Sequence, residues 1–147
     1  MEAMYPYFLI IHLVCAVIFI GYIFSDVILL SPIKKILGDE IADKVFGVIQ
    51  SRGTKIMPIM LLLIIISGGG MISRWVNSDI GFFETNLQKI LIAKVAIAMI
   101  IVVMVITSLS FKFLIKKPNP LAKIIHPIAL VLGFIIIILA KLAFYVS

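Results

Sequence analysis

Six residues with side chains able to bind a metal or carry a proton lie inside strongly apolar segments of this chain. An ionisable side chain in a membrane-crossing helix costs roughly 2.5–3.5 kcal/mol at the bilayer centre on insertion scales. Residues that remain there despite this cost are the first candidates for a functional site. They are His12, Cys15, Asp26, Lys94, His126 and Lys141.

His12 has the clearest chemistry, because imidazole is a common ligand of both haem iron and copper. Cys15 lies three residues further along, so the two side chains share a face in a helix. A thiolate together with an imidazole suits Cu(I). The structural alternatives are a neutral His12 that is hydrogen-bonded inside a bundle and a Cys15 that only fills the core.

Two lysines help to decide between haem and copper. Lys94 and Lys141 each lie about one helical turn from the end of an apolar segment, at a depth similar to that of His12. Two ammonium groups beside His12 would repel a bare cation and attract an anion such as a haem propionate. We therefore predict haem b at His12, with copper as the alternative. Lysines that reach out to the lipid headgroups are the structural alternative.

Four long apolar runs contain these residues and must position them. The chain as a whole is 63% hydrophobic, whereas soluble domains are about 45–50% apolar, so the composition is that of a membrane protein. Each run has about the 20 residues that a helix needs to cross the bilayer, whereas an isolated strand would leave its backbone unpaired in lipid. We predict one all-α domain over residues 1–147, an up-down bundle of four transmembrane helices with an amphipathic helix at Asp39–Gln50. This helix lies on the cytoplasmic face or runs into the second crossing, and Gly53 and Pro58 allow a bend where the two join. The predicted crossings are about 7–30, 56–73, 90–111 and 124–145.

Depth along the predicted helices separates the candidates into two layers. With a rise of about 1.5 Å per residue, His12 and His126 are roughly 20 Å apart along the bundle. One haem iron cannot bind both rings within a single protomer. The layer of His12 also holds Cys15, Lys94 and Lys141, and the other layer holds Asp26 and His126.

Asp26 and His126 lie at a similar depth, so we expect them to be able to form a buried hydrogen-bonded pair. The functional alternatives are a proton relay, a second metal or a contact with a cofactor. The structural alternative is an ion pair of Asp26 with Arg52 or Lys55.

Basic residues are concentrated in two of the three connections, at 31–55 and 112–123, and the remaining connection holds few. This distribution follows the positive-inside rule. It predicts a bacterial-type inner membrane protein with both termini on the non-cytoplasmic side. Because the net charge of +6 lies in short connections, we expect the lipid bilayer as partner and no nucleic acid.

Four sequence features occur together in this layout: a histidine near the start of helix one, in Tyr7–His12; the segment Phe19–Gly21; the segment Leu91–Lys94 in helix three; and Pro127 at the start of helix four. On these features the chain resembles the superfamily that joins copper-resistance-D-like membrane proteins with HemJ-type protoporphyrinogen oxidases. The resemblance implies a b-type haem, HemJ-type oxidoreductase activity, and functional roles for His12 and Lys94.

Two segments differ from the HemJ type. Phe24–Ile28 stands where that type has a Trp-rich stretch containing Arg, and Ile124–Pro127 lacks its Asn-Glu pair. These differences favour a haem- or copper-handling relative over the oxidase itself.

We therefore expect a haem-b-binding membrane protein for electron transfer or haem handling, with His12 as an axial ligand. Lys94 and Lys141 would lie near the propionates or the second axial position. A two-fold dimer would bring two His12 rings to one depth, and a redox or haem-pathway protein is the expected partner. The alternatives are a copper-handling protein or transporter that uses His12 and Cys15, and a non-catalytic membrane scaffold.

Overall fold

The computed structural model describes residues 2–117 and 119–146, and these residues form helices joined by short connections, with no β-strand among them. A π-helical turn, Ser25–Leu29, extends the first long helix, and a second one, Phe111–Ile115, extends the fourth helix. The five α-helices are α1 (Tyr5–Phe24), α2 (Ile33–Leu37), α3 (Asp39–Ile72), α4 (Asn86–Ser110) and α5 (Ala122–Tyr145).

Four helical segments are long and apolar enough to cross a membrane, which confirms the predicted all-α, four-helix membrane class. They are Tyr5–Leu29, Asp39–Ile72, Asn86–Ile115 and Ala122–Tyr145. Large apolar side chains cover their outer faces; Val17, for example, is 72% exposed. Burying such surface in lipid is favourable and exposing it to water is not, so these segments indicate a multi-pass membrane protein.

The second crossing differs in length from its prediction. The predicted amphipathic helix at Asp39–Gln50 and the predicted crossing at 56–73 form the single 34-residue helix α3. Pro58 lies inside it without ending it, because one lost backbone hydrogen bond is tolerated in membrane helices. Gly53 does not break the helix either, since it is buried where α3 meets the Tyr22 side chain of α1.

The crossing helices alternate in direction, and their contacts give the order α3, α1, α5, α4 around the bundle. The large contacts join α1 to α3 and α4 to α5, and the contact between α3 and α4 is the smallest between neighbouring crossings. One apolar cluster fills the middle of the bundle with side chains from all four crossings. Its buried members are Phe19, Ile23, Leu61, Ile101, Val102, Ala129 and Leu130.

Gln88, in the first turn of α4, organises the connection between α3 and α4 although its side chain is only 3% exposed. Its amide nitrogen donates to the carbonyl oxygens of Trp75, Ile80 and Gly81 at 3.0–3.2 Å. Its amide oxygen accepts from two backbone N–H groups just before the helix, and Thr85 completes a capping box with it. One side chain therefore fixes both ends of the connection.

Replacing Gln88 by glutamate should lower the free energy of unfolding by about 1.5 kcal/mol, because a carboxylate cannot donate to those three carbonyl groups. Unfolding in mixed micelles measures the change. The matched control is Lys89→Glu, which places the same residue type at the exposed neighbouring position. Equal effects of the two substitutions would contradict the role given to the Gln88 amide.

Candidate functional site

The His12 side chain lies between α1 and α3 and is held by one ring nitrogen. Nδ1 lies 3.0 Å from the carbonyl oxygen of Ile64 and 3.2 Å from the Ser67 hydroxyl. A carbonyl oxygen only accepts hydrogen bonds, so Nδ1 carries the proton and donates it to Ile64. The other nitrogen, Nε2, then keeps its lone pair, and this is the tautomer in which a backbone-anchored histidine binds a metal.

A small-residue stretch of α3 makes this contact with His12 possible. Ser67 is 1% exposed, and its hydroxyl donates to the carbonyl oxygen of Leu63 while its oxygen faces Nδ1 of His12. A Cβ atom on Gly68 would lie 3.1 Å from Cε1 of the His12 ring, and one on Gly70 would lie 2.9 Å from the Phe8 ring. The missing side chains let α1 approach α3 closely, as small residues do between membrane helices.

Gly68 and Gly69 therefore provide a matched pair of substitutions. Gly69→Ala meets nothing within 4 Å and should stabilise the helix by up to about 1 kcal/mol. Gly68→Ala should lose that gain, because the new methyl group pushes against the His12 ring. Thermal unfolding of both variants measures the difference. If the two alanines stabilise equally, the His12 ring does not lie against Gly68.

The remaining residues predicted for this layer have different environments. Lys94 is half-buried on α4, near the same end of the bundle as His12. Lys141 is exposed on α5, so its depth matches that of His12 but its side chain does not lie with the buried groups. Cys15 is buried at 5% exposure, one turn from His12 on α1.

The described residues include no ready-made group of side chains for a metal ion. Residues 2–117 and 119–146 contain no group of three or more His, Cys, Asp or Glu side chains placed to hold a metal ion. His12 and Cys15 thus have no third donor of these types, and copper would have two protein ligands at most from this set.

The second layer contains the expected hydrogen-bonded pair. Nδ1 of His126 and Oδ2 of Asp26 lie 2.5 Å apart, and the pair joins the π-helical turn after α1 to the second turn of α5. The Tyr22 ring meets the His126 ring edge-on, with 6.2 Å between the ring centroids. Arg52 and Lys55 are both exposed, and the partner of Asp26 among the described residues is His126.

The two layers do not meet. Phe19 and Ile23, members of the central apolar cluster, lie on α1 between His12 and Asp26. His126 is engaged by Asp26 in its own layer. The geometry agrees with the sequence-based exclusion of a haem bound by both histidines of one protomer.

Sequence reasoning missed the partners of His12 on α3, which are the Ile64 carbonyl group and the Ser67 hydroxyl. The available signal was a serine directly before Gly68–Gly70 at the depth of His12, since a polar residue beside small residues marks a close helix contact. Tyr22, which packs on the Asp26–His126 pair, carried no such signal.

Comparison with known proteins finds no matching family model, no matching curated protein and no matching solved structure. The family resemblance therefore remains a hypothesis that rests on the sequence features described above.

Proposed function

We propose that this membrane protein binds one haem b per chain, with Nε2 of His12 as an axial ligand, for electron transfer or haem handling. The observation that carries the proposal is the hydrogen bond from Nδ1 of His12 to the Ile64 carbonyl group. This bond fixes the tautomer and the ring orientation, which is the usual outer-shell support of a metal-binding histidine.

The charge near His12 favours haem over a bare metal ion. Lys94 is half-buried near the same end of the bundle as His12, and among the described residues the structure gives its ammonium group no carboxylate partner. A haem propionate would supply the missing anion, whereas a copper ion would add positive charge beside an existing positive charge. Lys94 is therefore assigned to a propionate.

The donor set around His12 fits a single axial imidazole. Nε2 is left without a hydrogen-bond partner among the described residues, and Ser67 supports the anchored nitrogen. When bound, the haem iron would supply one-electron redox chemistry. His12 would bind the iron and Lys94 would pair with a propionate. The apolar cluster in the middle of the bundle would exclude water from the site.

The absorption spectrum of the detergent-purified protein, with metal analysis on the same sample, tests the proposal. We expect a Soret band and about one iron per chain, either as isolated or after addition of haem. A colourless protein that takes up no added haem would contradict it. Bound copper that is lost in Cys15→Ser would support the copper alternative, and absence of both metals would support a scaffold.

We also propose that the lysine-rich connections lie in the cytoplasm of a bacterial-type cell, with both termini on the opposite side. The support is the concentration of basic residues at 31–55 and 112–123. Reporter fusions to the C-terminus test it, and an enzyme active only outside the cytoplasm is the expected result. Activity of a fused reporter that works only in the cytoplasm would show the opposite orientation.

A further inference from the structure

One end of the bundle carries an excess of unpaired positive charge. At this end, called here the lysine-rich end, α1 and α4 finish and α3 and α5 begin. Two cations there have carboxylate partners, since Lys34 pairs with Asp39 and Lys44 with Glu40. The others have none among the described residues: Lys35, Arg52, Lys55, Lys112, Lys116, Lys117 and Lys123.

Lys112 differs from the other unpaired cations because the structure holds it in place. Its ammonium group donates to the Thr54 hydroxyl at 2.8 Å and so joins the end of α4 to α3. The Thr54 hydroxyl in turn donates to the carbonyl oxygen of Gln50, which fixes its orientation. An ammonium group has three donors, so two remain for an anion.

Lys55 directly follows Thr54 on α3. On α3, Gly53 faces Tyr22 of α1, and Thr54 faces Lys112 in the π-helical turn that extends α4. Each residue turns the helix by about 100°, so Lys55 lies on the outward side of the seam between α3 and α4. The Lys55 side chain is exposed there. The α3–α4 contact is also the smallest between neighbouring crossings.

Directly after Lys112, the chain exposes a run of large apolar side chains. Phe113 is 58% exposed, Leu114 80% and Ile115 48%. Such side chains are covered by acyl chains in a membrane and by nothing in water. Exposed cations at the same end of the bundle as exposed apolar residues match a ligand that has a phosphate and hydrocarbon together.

We propose that the α3–α4 seam at the lysine-rich end binds the phosphate headgroup of an anionic phospholipid. Lys112 and Lys55 are the cations that contact the phosphate, and Thr54 is a positioning residue that holds Lys112. This inference is independent of haem binding at His12, which lies in the layer at the opposite end.

Native mass spectrometry of the full chain, with phosphatidylglycerol and phosphatidylcholine offered together, tests the proposal. We expect preferential retention of phosphatidylglycerol and about tenfold weaker retention in Lys112→Gln, because a charge-assisted contact is lost. Thr54→Val should also weaken retention, although it leaves every charge in place. Lys112→Arg should retain the lipid and shows that the fold survives substitution at this position.

The control is Lys117→Gln, which removes the same charge from an exposed residue without a hydroxyl contact and should leave retention within twofold of wild type. Equal losses in Lys117→Gln and Lys112→Gln would overturn the proposal in favour of diffuse attraction. Equal retention of the two lipids would overturn it as well. Release of phosphatidylglycerol by inorganic phosphate alone would assign the site to free phosphate instead.

Discussion

Replacing His12 by alanine is expected to abolish haem binding, so that the purified variant shows no Soret band and takes up no added haem. The reason is that His12 offers the one imidazole nitrogen with a free lone pair in its layer, while Nδ1 is committed to Ile64. Haem titration followed by absorption spectroscopy measures the effect in wild type and variant under the same detergent conditions.

His126→Ala is the matched control, because it removes the chain's other histidine from the opposite layer. This variant should keep the wild-type Soret band and bind the same amount of haem per folded chain. If His126→Ala loses haem and His12→Ala keeps it, the axial ligand has been assigned to the wrong layer.

Replacing Asp26 by alanine is expected to lower the free energy of unfolding by about 2 kcal/mol, because the hydrogen bond that joins α1 to α5 is lost and His126 keeps no partner for its ring nitrogen. The Asp26 side chain is 17% exposed and that of His126 is 37% exposed, so the pair is only partly buried. Unfolding in mixed micelles measures the loss. Asp43→Ala, which removes an exposed carboxylate without a described partner, should change stability by less than about 0.5 kcal/mol.

The double variant Asp26→Ala/His126→Ala separates pairing from local packing. Its loss should be clearly smaller than the sum of the two single losses, because the second substitution removes the group that the first one stranded. Strict additivity would mean that the hydrogen bond between α1 and α5 contributes nothing to stability.

The helical class and the layering of the candidate residues could be predicted from the sequence, because lipid imposes strong constraints. Bilayer thickness sets the lengths of the apolar runs, and the cost of burying charge makes every intramembrane ionisable residue conspicuous. Depth follows directly from residue number along a helix. The separation of His12 from His126 and the pairing of Asp26 with His126 were both accessible in this way.

The rotation of each helix about its axis was much harder to predict. Depth places Lys141 in the layer of His12, yet its side chain is exposed on α5. The rotation of a helix depends on which of its faces packs against its neighbours, and in this chain most faces are apolar and alike. Because 63% of the residues are hydrophobic, few polar residues distinguish one face from another. For the same reason, the contact of His12 with Ser67 could not be read from either residue alone.

The continuity of α3 also depends on tertiary contacts. Gly53 and Pro58 are typical of a bend in an isolated helix. In the folded chain, Gly53 is the place where α3 lies against the Tyr22 side chain, so helical geometry there is supported by packing. Local signals left open a bend or a continuous helix at this join, and the structure has the continuous helix.

Histidine-selective 15N NMR tests most directly whether Nε2 of His12 binds the proposed prosthetic group. The chain has only two histidines, so the spectrum contains four ring nitrogens, which the His126→Ala variant assigns to their residues. Addition of diamagnetic zinc protoporphyrin should shift the Nε2 resonance of His12 and leave both His126 resonances unchanged. Unchanged His12 resonances in the presence of the porphyrin would contradict the account.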